Sequence, residues 1–148
     1  MSKNILVPVD GSERSLKALD FASDIAARDG STLHVLHVVP EYVMPEGLRQ
    51  WAAAEHVQAP SGWIYEQAIA DYVLDVAIDR VSNQGQSPVV KITENGDAAK
   101  RIVEVARRHS IDMIIMGTRG LSDLEGLFMG SVAHKVNHLA ECTVVTVR

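Results

Sequence analysis

The chain has 148 residues, of which 47% are hydrophobic, and its formal net charge is −5 at pH 7. That length suits one domain with a substantial core, so we expect residues 1–148 to form a single domain. No apolar run approaches the roughly 18 residues of a membrane-spanning helix, and the polar residues Lys3 and Asn4 stand where a secretory signal would build its apolar segment. We therefore expect a cytoplasmic protein without a membrane partner.

Charge and cysteine content exclude two further classes of protein. The 14 Lys and Arg residues form no basic block, and two Trp, three Tyr and two Phe are few aromatic residues, so nucleic acid is not an expected partner. A single cysteine, Cys142, can form neither an internal disulfide nor a cysteine-based metal site, and we expect a small buried residue there. A small phosphorylated ligand stays compatible with the negative charge, because backbone N–H groups can hold it locally.

The first strand and the first helix are marked by their ends. The apolar run from Asn4 to Val9 predicts a buried strand, which Asp10-Gly11-Ser12 ends with turn residues. Ser12 is the predicted N-cap of a helix, and Gly30 stands just past its end. The predicted packed face comprises Ser15, Ala18, Leu19, Ala22, Ile25 and Ala26. These residues are mostly small, so the helix can lie close to a sheet.

The second strand leads into a long segment without a clear period. Leu33 to Val39 is an apolar strand that Pro40 closes. Residues 40–62 contain three of the five prolines, and we interpret them as a variable surface loop or lid with a helical turn around Arg49 to Glu55. Three aromatic residues in or beside this segment are expected to pack locally, with a lid role left open: Tyr42, Trp51 and Trp63.

A second helix and an edge strand follow. The predicted packed face of this helix comprises Ile69, Tyr72, Val73, Val76 and Ala77, and Asn83-Gln84-Gly85 ends it. From Pro88 to Glu94, apolar and polar residues alternate. This half-polar pattern predicts an edge strand, because central strands of a parallel sheet are apolar on both faces.

The last two helices and strands complete a regular alternation. Asp97 is the predicted N-cap of a helix that packs through Ala99, Ile102, Val103 and Ala106, and Ile111 to Met116 is the most continuous apolar strand. Gly130-Ser131 opens a helix whose predicted packed face comprises Val132, Val136, Leu139 and Ala140, and Thr143 to Val147 is the last strand. The order β-α-β-α-β-α-β-α-β predicts one doubly wound parallel sheet with four helices.

Ligands of such sheets bind beyond the carboxyl ends of the strands. The most informative loop at that edge is Gly117-x2-Gly120-x9-Gly130-Ser131, which joins a strand end to a helix start. Glycines let phosphate oxygens approach backbone N–H groups, and Gly130, Ser131 and Val132 would be the first-turn donors of the helix. The alternative is a glycine-rich turn that binds nothing. The position of the loop at the ligand-binding edge favours a phosphate site.

The spacing of this loop resembles the nucleotide signature of the universal stress protein family, in its ATP-binding branch. The resemblance covers nearly the whole chain, and the segments that look like family hallmarks are Ile5-Leu6-Val7-Pro8-Val9-Asp10-Gly11-Ser12, His37-Val38, Gly96-Asp97-Ala98-Ala99-Lys100-Arg101-Ile102-Val103 and Met116-Gly117-Thr118-Arg119-Gly120. The resemblance implies an open sheet of five parallel strands in the order 3-2-1-4-5, as in adenine nucleotide alpha hydrolase-like folds. Residues 40–62 do not match the family pattern.

The resemblance also implies roles for the matching residues. Asp10 would bind the ribose or the base, Val9 and Val38 would flank the adenine, and Arg119 would either add charge or face solvent. The implied nucleotide-binding residues are Pro8, Val9, Asp10, Val38, Met116, Gly117, Arg119, Gly120, Gly130, Ser131 and Val132, of which the glycines, Ser131 and Val132 would hold the phosphates. Mg²⁺ or Mn²⁺ would bind through the phosphates, with no metal site and no catalytic residue in the protein itself.

Some polar residues have a purely structural alternative. Asp10 could cap the following helix. His134 and His138 have the spacing of a metal-binding pair, but the helical period turns them away from the packed face and predicts solvated side chains. His34 and His37 are predicted to pack in or at the edge of a strand.

The favoured function is a stress protein that binds ATP and acts as a nucleotide-dependent regulator or chaperone-like partner, with at most weak hydrolysis. The alternatives are a protein that binds AMP or cyclic AMP, and a slow ATP hydrolase. An ATP-pyrophosphatase or adenylyl-transferring enzyme is disfavoured, because Asp10-Gly11-Ser12-Glu13 is acidic where such enzymes bind pyrophosphate. A phosphoacceptor domain is also disfavoured, because it would need paired acidic residues at the end of the first strand and a lysine at the end of the last strand, and the sequence has neither.

Thr143 to Val147 is expected to be an apolar edge strand, which predicts a homodimer through it.

Overall fold

The structure is a computed structural model that describes residues 3–41, 46–56, 62–84, 87–120 and 129–148. Its strands are β1 (Asn4–Pro8), β2 (Thr32–Val39), β3 (Val89–Asn95), β4 (Met113–Gly117) and β5 (Thr143–Val147). They form one parallel sheet in the order β3-β2-β1-β4-β5. The predicted fold class and strand order are confirmed.

Helices cover both faces of the sheet. They are α1 (Glu13–Asp29), α2 (Glu46–Ala54), α3 (Gly62–Ser82), α4 (Ala98–Arg108) and α5 (Ser131–Leu139). The four predicted helices are present, and the described residues contain a fifth, α2, where the sequence predicted only a helical turn. Within the described ranges, no helix is long and apolar enough to cross a membrane.

Successive residues of β1 face opposite layers, which explains its uninterrupted apolar run. Ile5 and Val7 pack in one core with α1 and α3, whereas Leu6 packs in the other with α4 and α5. All three side chains are fully buried. A central strand of this kind needs apolar residues at every position, because helices cover both of its faces.

The predicted helix ends are confirmed. Ser12 accepts a hydrogen bond from the Ser15 N–H through its Oγ at 3.2 Å, and Asp97 accepts one from the Lys100 N–H through Oδ1 at 2.9 Å. Gly30 ends α1 in the left-handed conformation, with φ 71°. Each cap satisfies a backbone group that the helix itself leaves unpaired.

The two edge strands are β3 and β5, as predicted. On β5, the Val147 carbonyl accepts a hydrogen bond from the Thr118 N–H at 2.9 Å, so Val147 presents its backbone groups to β4. Backbone groups alternate in direction along a strand. Val145 therefore also faces β4, whereas Val144 and Thr146 present their N–H and C=O groups to the open side of the sheet.

The predicted packed face of α3 is partly wrong. Ile69, Tyr72 and Val76 are 59%, 71% and 38% exposed, and the residues that α3 buries are Ala70, Val73, Leu74, Ala77 and Val81. Apolar residues occur on more than one side of this helix, so the helical spacing fits two faces equally well. The face with two alanines packs on the sheet, because small residues allow a close approach.

The predicted packed face of α5 is corrected in the same way. Leu139 is 51% exposed, and the helix is buried through Ala133 and Val136. Val132 and Ala140 are partly buried against the same core. Ala133 and Leu139 lie on opposite sides of Val136 around the helix, so Leu139 falls at the margin of the buried face.

Candidate functional site

A cavity of about 600 Å³ opens at the carboxyl edge of the sheet. Its walls come from the ends of β1, β2 and β4, which are neighbours in the sheet, together with parts of α3, α4 and α5. The nucleotide-binding residues that the resemblance implied before α5 come from these same three strand ends and the residues that follow them. The cavity is therefore where a doubly wound sheet places its ligand.

The end of β1 contributes Pro8, Val9 and Asp10 to the cavity wall. The Asp10 carboxylate accepts a hydrogen bond from the Ser12 N–H at 2.9 Å, and the Asp10 N–H donates to Ser15 Oγ at 3.4 Å. Gly11 adopts φ 85°, which a residue with a side chain rarely does. Asp10 thus organises the turn before α1, although the N-cap of that helix is Ser12 and not Asp10, and Asp10 also lines the cavity. Its contact with a ribose or base stays a prediction.

The end of β2 contributes Val38 to the wall, and His37 holds this strand end in place. His37 is buried, and its Nδ1 donates a hydrogen bond to the Val9 carbonyl at 2.7 Å. This bond ties the end of β2 to the end of β1. The prediction that His37 packs in the strand is confirmed, and its position fixes the wall between Val9 and Val38.

The loop after β4 contributes Met116, Gly117, Arg119 and Gly120 to the wall. A Cβ at Gly117 would lie 3.1 Å from the backbone carbonyl carbon of Arg14, so a side chain there would require α1 to shift by a few tenths of an ångström. Glycine at this position is therefore explained by helix packing, independently of any phosphate.

Thr118 anchors the same loop, and sequence reasoning missed it. Its side chain is buried, its N–H donates to the Val147 carbonyl, and its Oγ1 accepts a hydrogen bond from Arg14 Nη1 at 3.0 Å. Its carbonyl accepts a hydrogen bond from the Gly130 N–H at 2.6 Å. Thr118 therefore connects α1, β5 and the start of α5, and so fixes the residues on either side of it.

The start of α5 only partly matches the prediction. Val132 lines the cavity, but the residues in its wall do not include Gly130 or Ser131. The Gly130 N–H is bonded to the Thr118 carbonyl, and the role of Gly130 and Ser131 at the phosphates stays a prediction. Gly130 is the N-cap and supplies no side-chain cap to α5.

Arg119 lies in the cavity wall and is half-buried. Its Nε is buried and has no hydrogen-bond partner among the described residues. Of the two predicted positions for this side chain, the structure places it at the cavity. A buried N–H without an acceptor is costly, and the positive charge of this side chain in the cavity wall can attract an anionic ligand.

Other wall residues had no signal in the sequence. Glu66 and Ile69 belong to α3, Ala98 and Ile102 belong to α4, and Glu41 follows β2. Their participation depends on how α3 and α4 dock on the sheet, which hydrophobic spacing does not encode. Only knowledge of the helix positions could have placed them at the site.

The remaining candidates lie away from the cavity. His134 and His138 are exposed, as predicted. His34 is buried, and its Nε2 is 3.4 Å from Asn4 Oδ1. Burial, and to a smaller extent repulsion from His109, lowers the pKa of His34.

Cys142 is half-buried rather than buried, and partial burial raises the pKa of its thiol. The described ranges contain no group of three or more His, Cys, Asp or Glu residues that could hold a metal ion. Tyr42 and the side chain of Trp63 lie outside the described residues, and Trp51 is exposed on α2.

Comparison with known proteins identifies the family. Residues 1–148 match the Universal stress protein family. The chain is 32% identical over 153 residues to universal stress protein YxiE of Bacillus subtilis (strain 168), covering all of both chains. Among solved structures, universal stress protein UspA from Lactobacillus plantarum is 26% identical with a TM-score of 0.79, and the match covers 99% of this chain and 97% of that one. A universal stress protein solved in complex with cAMP is 25% identical with a TM-score of 0.71, with the same coverage. The chain belongs to the universal stress protein family.

Proposed function

We propose that this chain binds ATP in the cavity at the carboxyl edge of the sheet and acts as a nucleotide-dependent regulator or chaperone-like partner in a stress response. The observation that carries the proposal is the position of Arg119, whose cationic side chain lines a cavity of about 600 Å³. That volume lies within the roughly 300–1,000 Å³ of small-molecule sites. Nine of the eleven residues expected at the nucleotide line this one cavity, all except Gly130 and Ser131.

The wall chemistry suits a ligand with a flat apolar part and an anionic part. Pro8, Val9, Val38 and Met116 offer apolar surface to a base. Arg119 offers a positive charge, and Val132 lies in the first turn of α5, where the helix dipole favours an anion. A nucleotide combines these two parts in one molecule. Mg²⁺ or Mn²⁺ would bind to its phosphates, which is how Mg²⁺ commonly binds in proteins.

Adenosine monophosphates are a second candidate ligand for the same cavity. The observation that favours them is the related universal stress protein in complex with cAMP. A monophosphate uses the same base surface and places one anionic group near Arg119, so the two candidates differ in how many phosphates the loop after β4 holds.

The experiment has two parts. Mass spectrometry of the ligand released on denaturing the purified protein identifies the nucleotide that it carries. Isothermal titration calorimetry then compares MgATP, AMP and cAMP with adenosine and with inorganic triphosphate, which contain only one part of the ligand each. We expect ATP to bind with a Kd in the micromolar range, about −8 kcal/mol at 1 μM, and each fragment to bind much more weakly. Folded protein that binds no adenine nucleotide would refute the proposal.

We further propose that two copies associate through β5. Its open side carries the N–H and C=O groups of Val144 and Thr146, and the strand has neither proline nor lysine to discourage pairing. Two copies related by a two-fold axis would pair these strands antiparallel. The open side of β5 faces away from β4, β1 and β2, whose ends form the cavity wall, so pairing leaves the cavity open.

A further inference from the structure

The cavity has an acidic side that the nucleotide signature does not include. Glu66 on α3 and Glu41 after β2 both line it. Neither carboxylate has a hydrogen-bond or ion-pair partner within the described part of the chain. Glu66 is half-buried, whereas Glu41 is exposed.

The acidic side lies across the cavity from Arg119. Arg119 follows β4, Glu41 follows β2, and β1 lies between these two strands. Because neighbouring strands are about 4.8 Å apart, the ends of β2 and β4 are separated by roughly 10 Å. Glu66 belongs to the same side as Glu41, because α3 packs against β2. The cavity therefore has a cationic end over β4 and an anionic end over β2, and between them, after β1, lies Asp10, whose carboxylate accepts a hydrogen bond from the Ser12 N–H.

These two ends orient a nucleotide. Its phosphates are attracted to the cationic end and repelled from the anionic end, so the base must lie over β2. A carboxylate is a hydrogen-bond acceptor only, and it is satisfied by N–H donors. The groups that a base can offer it there are exocyclic amino groups and ring N–H groups.

We propose that Glu66 is a specificity-determining residue, whose carboxylate accepts a hydrogen bond from the exocyclic amino group of the bound base. This inference rests on the proposed function, and it names the part of the nucleotide that the acidic side recognises. Glu66 is favoured over Glu41 because it is half-buried and sits on a helix, which holds a side chain more rigidly than a loop does. Ile69 lies one turn further along α3 and also lines the cavity, so the same helix face offers apolar contact beside the carboxylate.

The test is a cycle of two proteins and two ligands, measured by calorimetry with Mg²⁺ present. The ligands are ATP and purine riboside 5′-triphosphate, which lacks the 6-amino group and is otherwise the same molecule. The proteins are the wild type and Glu66→Ala. The control is Glu141→Ala, which removes an exposed carboxylate just before β5, at the opposite edge of the sheet.

We expect the wild type and Glu141→Ala to bind ATP about tenfold more tightly than the purine analogue, which is the usual effect of losing a hydrogen bond to a charged group. In Glu66→Ala the preference should fall to about twofold or less. An unchanged preference in Glu66→Ala, or none in the wild type, would overturn the inference while leaving nucleotide binding intact. A wild type that binds neither ligand would refute the proposed function and this inference with it. Glu66→Met, which has a similar length and no acceptor oxygen, replaces Glu66→Ala if circular dichroism shows that the alanine variant is unfolded.

Discussion

Replacing Arg119 with Met should change stability and ligand affinity in opposite directions. The Nε of Arg119 is buried without a partner, which costs free energy in the ligand-free protein. Met has a similar length and no polar N–H group, so Arg119→Met removes this cost. The same substitution removes the positive charge that we propose for the phosphates.

The size of each effect follows from the surroundings of the side chain. An unsatisfied buried donor costs about 1–3 kcal/mol, and Arg119 is only half-buried, so the lower end applies. We expect the free energy of unfolding of the ligand-free protein to rise by about 1 kcal/mol, or about 2–4 °C in Tm for a domain of this size. The affinity for ATP should fall about tenfold, because a charge-assisted hydrogen bond contributes about 1.5 kcal/mol.

Urea unfolding of the ligand-free protein and calorimetry with MgATP measure these two quantities. The matched control is Arg28→Met, which removes an exposed arginine from the last turn of α1, at the opposite edge of the sheet. It should change the ATP affinity by less than about twofold and should not stabilise the protein. The reasoning is refuted if Arg119→Met lowers the free energy of unfolding and leaves the ATP affinity unchanged.

Four further outcomes are expected. Gly130→Val should weaken ATP binding about tenfold or more by calorimetry, because Gly130 is buried at the start of α5 and a branched side chain there must move the Thr118 loop; wild-type affinity would contradict this. Steady-state ATP hydrolysis should stay below about 1 s⁻¹, because fast phosphoryl transfer needs concentrated positive charge at the γ-phosphate and, among the described residues, Arg119 is the only Lys or Arg in the wall. A faster rate would make the protein an enzyme. In sedimentation, Thr146→Pro should shift a dimer toward monomer, because this substitution removes an N–H from the open side of β5. Val145→Pro should instead destabilise the pairing of β5 with β4. A wild type that is monomeric at tens of micromolar rules the interface out. The free energy of unfolding should fall as the pH drops below about 6.5. Burial lowers the pKa of His34, so in this pH range the unfolded chain binds a proton there that the folded chain resists. His34→Gln should flatten this pH dependence, and an unchanged slope in that variant would assign the dependence to other groups.

The strands and helix caps were predictable because their causes are local. A central strand needs an apolar residue at every position, and Ile5-Leu6-Val7 and Ile114-Ile115 have this pattern. Ser12, Gly30 and Asp97 satisfy helix ends through their own side-chain or backbone chemistry. Strand order is different, because it depends on which runs pair, and here it came from the resemblance to a family.

The packed face of α3 was not predictable from spacing. Ile69, Tyr72 and Val76 follow the helical period as well as Val73, Leu74 and Ala77 do, and only docking on the sheet decides between the two faces. The same docking brings Glu66 and Ile69 into the cavity. Sequence patterns describe each element on its own, and the acidic side of the cavity arises only where α3 meets the end of β2.

The glycine signature itself has two physical causes that the sequence cannot separate. Glycine is favoured at position 117 because a Cβ there would lie 3.1 Å from the backbone of α1, and the Gly130 N–H is bonded to the Thr118 carbonyl. Both residues therefore build the loop after β4 before any ligand arrives. Arg119 lies in that loop, next to Thr118, whose hydrogen bonds reach α1, β5 and α5. The conserved-looking spacing thus positions a charged side chain by fixing the backbone around it, so substitutions at Gly117 should affect stability as well as binding, whereas substitutions at Arg119 separate the two.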